Sequence, residues 1–318
     1  MRAMRSVSQT QQRLVLASIL ILLIIAAIMS PGFDSPAHLV DVLALAALLA
    51  VAALGQTVIM LTGGIDLSMG FVMTLSGAII MQVGPQNLAV GLALALGLGA
   101  LVGIVNGLGI ELLHIPPLIM TLASGSIAQG ALYLYTGGTT SSVVPQSLYA
   151  LINGSPVTHL FFPNVIVIAA ILGGGVSLLL SRTVFGRSVY AVGSGVVTAR
   201  LSGVPVERVT VWVYVIGGIM AAAAGVLVVG YYGQESLGTG TDYLLPAIAA
   251  VVIGGTSMLG GEGTFVGTAL GALLLIILTS LLTVLNLSTA AQQVLYGLVI
   301  IIMLVVRRRG VKQTASAT

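Results

Sequence analysis

The chain has 318 residues, of which 58% are hydrophobic and only 6% charged, and its mean hydropathy is +1.15. Soluble domains carry roughly 25% charged residues, so a water-soluble fold is excluded and the chain reads as an all-α integral membrane protein. Cysteine is absent, which rules out disulfides and thiolate metal sites; the net charge of +3 comes from basic residues clustered beside apolar runs, a membrane pattern that leaves no nucleic-acid partner expected.

A helix needs about 20 apolar residues to cross the hydrocarbon layer. Ten runs approach or exceed that length: Leu14–Met29, Asp41–Leu61, Leu67–Val83, Leu88–Ile110, Pro116–Tyr135, Pro163–Ser181, Val209–Tyr232, Tyr243–Met258, Thr264–Leu285 and Thr289–Val306. They follow one another with short polar breaks, so residues 1–318 read as a single membrane domain with one extended loop, 182–208. The first run follows Arg2, Arg5 and Arg13 and shows no A-x-A-like cleavage site before Ser30-Pro31, so it reads as a retained span.

All eleven Lys and Arg residues fall in three groups: Arg2, Arg5 and Arg13; Arg182, Arg187, Arg200 and Arg208; Arg307, Arg308, Arg309 and Lys312. Cationic loops stay in the cytoplasm, which requires an even number of spans between groups, and the ten runs supply six and then four. Both termini and the 182–208 loop are therefore expected inside. The uncharged stretch Thr136–Phe162, with Asp34, Glu235 and Asp242, is expected outside.

Glycine spacing suggests an internal repeat. Gly99, Gly103 and Gly107 recur at four-residue steps in the fourth run, and Gly263, Gly267 and Gly271 do so at the ninth. Such stripes let a neighbouring backbone approach closely. An offset of five spans makes the repeat inverted, with spans 2–5 mirrored by spans 7–10. The third and eighth runs then correspond, and both are short: one follows the break Thr62-Gly63-Gly64-Ile65-Asp66, and the other holds Pro246 after Gly238-Thr239-Gly240-Thr241-Asp242. Interrupted helices at matching positions are where transport sites tend to lie.

Asp66 is the acid nearest the interior of a span, where an ionised carboxylate costs about 2.5–3.5 kcal/mol on insertion scales. It either faces a solute path opened by Gly63 and Gly64, or caps the helix starting at Leu67 by accepting from the N–H of Ser68 or Met69. The two roles are compatible. Gln56, Thr62, Asn106, Thr121 and Gln129 place polar side chains in or beside apolar runs, suited to line a cavity or to bond between helices.

In the 182–208 loop, Val197, Leu201 and Val204 recur at helical spacing between Gly193 and Gly203, as in a short amphipathic helix that docks on a partner or rests on membrane lipid. The single lysine, Lys312, stands in no G-x-x-x-x-G-K-[ST] loop, so any ATP hydrolysis belongs to another chain. No Ser–His–Asp or paired-carboxylate arrangement points to catalysis, and no metal site is expected.

The segments Gly55-Gln56-Thr57-Val58 and Leu61-Thr62-Gly63-Gly64-Ile65-Asp66-Leu67-Ser68-Met69-Gly70 resemble the ribose-type permeases of ABC sugar importers. Asn106-Gly107 leading to Ile115-Pro116-Pro117, Phe185-Gly186-Arg187 through Arg200-Leu201-Ser202-Gly203, and Ala247 through Ser257 with Gly260-Gly261 are similar to the same family. The resemblance runs from Leu39 onward. It implies a permease of the bacterial inner membrane working with a second permease copy or paralogue, with an ABC ATPase subunit that carries ATP and Mg and engages Gly186, Arg187, Gly193, Arg200, Leu201 and Gly203, and with a periplasmic sugar-binding protein. The sequence departs from the family where Ser126-Ile127-Ala128-Gln129-Gly130 lacks an arginine and where Thr241-Asp242-Tyr243 replaces Gly-Tyr-Glu. A permease for branched-chain amino acids or nucleosides, and an ion-coupled secondary transporter, stay open as alternatives at this point.

Overall fold

A computed structural model describes residues 2–30, 32–139, 144–154, 162–298 and 300–301, and the side chains among these from residue 11 onward. His159, Pro156 and the basic cluster at 307–312 lie outside the described residues. The architecture is all-helical, in the order α1 (Arg2–Met29), α2 (Pro36–Leu61), α3 (Met69–Val83), α4 (Leu88–Leu112), α5 (Pro117–Thr136), α6 (Gln146–Asn153), α7 (Asn164–Arg182), α8 (Val184–Ser194), α9 (Val196–Leu201), α10 (Val206–Tyr232), α11 (Thr239–Ile253) and α12 (Phe265–Val284). Residues 289–298 are helical as well, and residues 302–306 of the expected tenth span lie outside the described residues.

Among the described residues seven helices are long and apolar enough to cross a membrane: α1 from Gln11, α2, α4, α5, α7, α10 and α12. The third and eighth expected spans take a different form. α3 and α11 have 15 residues each, about 22 Å at 1.5 Å per residue, against a hydrocarbon core of about 30 Å.

Local chemistry sets the helix starts. The side chains of Ser35, Asn87, Thr183 and Thr264 accept from the N–H groups of His38, Val90, Gly186 and Gly267 at 3.4, 3.1, 3.1 and 3.2 Å, satisfying donors a helix end leaves open. α5 and α10 stop at Gly137 and Gly233, both left-handed, where glycine meets no steric penalty.

Two helices form the centre. The apolar windows of α2 and α10 are 89% and 78% buried, whereas the other five long helices reach 17–44%, so these two are wrapped by protein and the rest present a face to lipid. They run antiparallel: Gly55 lies against Gly217, and further along Gly64 lies against Tyr214. α10 packs on α3 and α4, and α2 packs on α11 and α12, with a buried Thr57–Thr268 hydrogen bond of 2.8 Å tying α2 to α12.

Lipid gives apolar helices little reason to associate, so close backbone contact has to supply the attraction. Along α4, a Cβ at Gly99, Gly103 or Gly107 would run into Gly218, Tyr214 or Val211 of α10 respectively. The second glycine triplet has a different partner. A Cβ at Gly263, Gly267 or Gly271 would strike Thr256, Gly254 or Ala250, in or just after α11. The stripes thus seal two unlike seams, one against a central helix and one against a short one.

α3 and α11 start against each other inside the bundle: the N–H of Gly240 donates to Thr74 Oγ1 at 2.9 Å, and a Cβ at Gly70 would come within 2.9 Å of the Gly240 carbonyl. From there they run to opposite ends. α3 finishes where Gly84 meets Pro145 before α6. α11 leads to a loop whose Gly261 N–H donates to the Leu61 carbonyl at 2.9 Å, beside α8. The bundle therefore has an α6 end and an α8–α9 end.

Gly103→Leu is expected to wedge the α4–α10 seam and cost about 1–3 kcal/mol, lowering the thermal unfolding midpoint of the detergent-purified protein. Gly97→Leu on the same helix, where a Cβ has nothing within 4 Å, is expected to leave the midpoint unchanged.

Candidate functional site

The connection from α2 to α3 is the centre of interest because irregular backbone at membrane depth must be buried in protein or line a water-filled cavity. α2 ends as Thr62 Oγ1 donates to the Ile59 carbonyl at 2.8 Å, and Gly63 takes a left-handed φ of +83°. Asp66 Oδ1 then accepts from both the N–H and the hydroxyl of Ser68, at 2.8 and 2.5 Å. Asn106 Nδ2 on α4 donates to the Ser68 hydroxyl at 3.1 Å, and Thr121 Oγ1 on α5 reaches the Ile65 carbonyl at 3.3 Å. Asp66, Ser68, Asn106 and Thr121 are all buried.

Thr62, Gly63, Gly64, Asp66, Asn106 and Thr121 are thus brought together around one helix break. The Asp66 carboxyl accepts from the Ser68 N–H as the capping reading requires, although α3 starts at Met69 and Ser68 holds the cap position. Gln56 lies one and a half turns back in α2, buried, with both ends of its amide unpartnered. Gln129 stands about 12 Å further along α5, half-buried, and does not join the cluster.

Towards the α8–α9 end, the other side of the break opens on a cavity of about 170 Å³. Thr62, Gly63 and Gly64 form one wall, Ile110 and Glu111 of α4 another, and Val192, Val196 and Arg200 of α8 and α9 a third. Tyr214 of α10 completes it. Its side chain is buried, its hydroxyl has no hydrogen-bond partner, and a Cβ at Gly64 would sit 2.5 Å from that oxygen. Tyr214 and Glu111 were not legible as site residues, because only the antiparallel pairing of α2 with α10 and the end of α4 bring them to the break.

In the 182–208 loop, two helices replace the single one expected. α8 occupies a stretch that the sequence marks only as loop, and the amphipathic helix α9 starts after Gly195 rather than Gly193, because Gly193 is the close-packing residue of α8: its Cβ would meet the Leu61 carbonyl and the Gly261 nitrogen. Gly186 is likewise buried, against the Leu180 carbonyl. Arg187, Arg200 and Leu201 are exposed, Arg200 pairing with Glu207 at 2.5 Å, while Gly203 turns the chain at φ +79° in open space. Val184 at the start of α8 and Val197 and Leu201 on α9 are 70, 72 and 85% exposed.

Glu235, in the connection from α10 to α11, is not the simple surface acid its position in a loop suggests. Its Oε1 is buried without a hydrogen-bond partner against Gly77 of α3 and Val229 of α10, and this loss of solvent pushes its pKa up to about 8.

A family model described as the permease component of the branched-chain amino acid transport system matches residues 38–304. The chain belongs to this permease family. It is 35% identical over 297 residues to the ribose import permease RbsC of Escherichia coli K12, covering 92% of each chain. It is 33% identical over 304 residues to a probable ABC transporter permease, y4mJ, of Sinorhizobium fredii, covering 95% of this chain and 91% of that one. It is similar too to the autoinducer 2 import permease LsrC of an Enterobacter species, with 35% identity over 310 residues, 96% of this chain and 89% of the relative. This permease is a multi-pass membrane component of an ABC transport system and not an enzyme.

The raised pKa of Glu235 fixes the sign of a pH effect. Between the ordinary carboxylate range and about pH 8 the folded permease binds the proton that the unfolded chain releases, so stability falls as pH rises through that window and levels off above it. Unfolding midpoints measured from pH 5 to pH 9 are expected to fall with pH in the wild type and to be flatter in Glu235→Gln.

Proposed function

We propose that this permease forms half of the membrane passage of a bacterial inner-membrane importer for a monosaccharide or a similar small neutral solute. Two similar permeases are named for ribose and autoinducer 2 import. The observation that carries the reading is mechanical: Gly193 of α8 rests backbone to backbone on the Leu61 carbonyl, where α2 breaks, and on Gly261 after α11. A push on α8 is therefore delivered to the break without an intervening side chain. The exposed Val184, Val197 and Leu201 beside Arg187 make the surface on which a cytoplasmic ABC ATPase, holding ATP and Mg, would dock. Both termini and this surface then face the cytoplasm, and a periplasmic binding protein delivers the solute at the α6 end.

The solute path is assigned to the exposed face of α5, closed by a second permease copy. α5 has the lowest mean hydropathy of the seven long helices, 1.2 against 2.1–2.5, yet only 28% of its window is buried. Ser126 and Gly130 are exposed on it and Gln129 is half-exposed, a poor match for lipid and a good one for a watery passage. The helix break, held by Asp66, Asn106 and Thr121, supports the inner edge of that path.

The inverted repeat also belongs to this reading. α2 and α10 run antiparallel, each is followed by a break and a 15-residue helix, and α10 packs on α3 and α4 as α2 packs on α11 and α12. The unlike partners of the glycine triplets mark where the two halves have diverged.

The test is reconstitution of the permease with its ATPase and the binding protein, followed by ATP-dependent uptake of labelled sugars. Leu201→Glu is expected to lower uptake at least tenfold and to abolish binding-protein-stimulated ATP hydrolysis while the chain still inserts; parental uptake would reject this docking surface. Asp66→Asn is expected to lower uptake with normal insertion, because an amide replaces the acceptor of both Ser68 donors.

A further inference from the structure

We infer that the connection between α11 and α12, residues 254–264, is a second coupling element: it takes up displacement of α8 together with the helix break and passes it to the start of α12, with Tyr190 and Gln12 as the residues that position it. The inference rests on the docking of an ABC ATPase against α8 and α9 read above; the seating of the connection on α8 is geometry in its own right.

Gly193, which seats α8 on the break, seats it on the connection as well. A Cβ at Gly260 would stand 2.9 Å from the Gly193 backbone and 3.0 Å from the Gly63 nitrogen, and one at Gly261 would stand 2.9 Å from the Ser194 hydroxyl and 3.1 Å from its backbone. The Gly261 N–H donates to the Leu61 carbonyl at 2.9 Å, so α8, the end of α2 and the connection meet at one point. Main chain touches main chain there, and packed backbone transmits a displacement rather than absorbing it. A shift of α8 therefore moves both neighbours.

The connection's own backbone is a poor guarantee of its shape. Gly255, Gly260, Gly261 and Gly263 take φ of +91, +89, +77 and +151°, values that glycine reaches easily and leaves as easily, because fixing it costs more chain entropy than fixing any other residue. Side chains of other helices supply what the glycines lack. The Tyr190 hydroxyl of α8 donates to the Gly263 carbonyl at 2.9 Å, and Gln12 Nε2 of α1 donates to Thr264 Oγ1 at 3.1 Å. Thr264 is the N-cap of α12, its oxygen accepting from the Gly267 N–H at 3.2 Å. Tyr190 thus ties α8 to the residue before that cap, and Gln12 braces the cap itself from α1, the least buried of the seven long helices. α12 is bonded in turn to α2 through Thr57 and Thr268. Displacement of α8 reaches α2 by two routes, one at the break and one through α12.

The chain has no cysteine, so one introduced cysteine gives one labelling position. The test attaches an environment-sensitive bimane fluorophore through Leu259→Cys, an 87% exposed position on the connection, or through Ser202→Cys, exposed at the end of α9, in the full-length permease assembled with its ATPase and binding protein in lipid membranes. Adding ATP and Mg is expected to change the emission at both positions. In Tyr190→Phe and in Gln12→Leu the Ser202 position is expected to respond as before, while the response at Leu259 falls about twofold or more, the least that one lost hydrogen bond gives, and uptake of radiolabelled D-ribose per ATP hydrolysed falls with it. Ser188→Ala, whose hydroxyl donates to Val184 of its own helix at 3.0 Å, is expected to change neither readout. Should Tyr190→Phe fail to fold, Gln12→Leu near the start of α1 decides alone. A full response at Leu259 in the folded variants, or a response at Ser202 with none at Leu259 in the otherwise parental chain, overturns the second coupling element and leaves ATPase docking standing. An unchanged ratio of uptake to hydrolysis beside a lowered unfolding midpoint assigns the two residues to stability alone and overturns it too. Silence at both positions rejects the docking reading and the inference with it. If D-ribose is not carried, the sugar reading loses its support and the two fluorophore positions still decide.

Discussion

A peptide group inside a lipid bilayer has no water to bond with, and every irregularity of the backbone must find its partners in the protein. The seven residues between α2 and α3 meet that demand through one side chain of their own and two from other helices. Asp66 holds Ser68, Asn106 on α4 holds the same hydroxyl, and Thr121 on α5 takes the Ile65 carbonyl. The break is thereby fixed at three points, and the cavity beside it, the start of α3 and the seat of α8 all inherit their positions from it.

The contacts that carry force through the bundle are made by backbone rather than by long side chains. Gly193 on Leu61, Gly55 on Gly217 and Gly99 on Gly218 bring main chains together with nothing between them that can change rotamer. A side chain at such a seam absorbs small displacements by reorienting, whereas backbone in van der Waals contact transmits them. Stiffness of this kind would carry a displacement of α8 to the break, as the proposed docking surface requires.

Much of the architecture is legible in the residues. The long apolar runs, the break at Thr62-Gly63-Gly64, the glycine stripe of α4 as a packing face and the polar trio Asp66, Asn106 and Thr121 follow from periodicity, composition and the cost of polarity in lipid. What stayed hidden depended on tertiary proximity. The third and eighth runs are short already in the sequence; what hydropathy does not report is that α3 and α11, at 15 residues each, start against each other inside the bundle. α8 escaped notice because Gly186, Arg187 and Gly193 read as loop chemistry, although the glycines are there to let the helix lie flat on Leu180 and Leu61. Glu235 and Tyr214 owe their unusual surroundings to α3 and to Gly64, partners far away in sequence. Gln129, polar within an apolar run like Asn106, stands about 12 Å along α5 from Thr121 and outside the cluster, since composition alone does not say at which depth the break lies.

The meeting of α3 and α11 at Gly70 and Gly240 carries an electrical consequence. Each helix start bears about half a positive elementary charge, and here two of them converge in the interior, where the sequence places no lysine or arginine. An acid accompanies each: Asp66 three residues ahead of the first residue of α3, and Asp242 in the first turn of α11. The buried Asp66 thus faces peptide dipoles rather than a cationic side chain, and dipoles can neither titrate nor migrate. An interior built in this way gives protons no basic side chain to hop through at that depth, which suits a membrane that must keep its ion gradients.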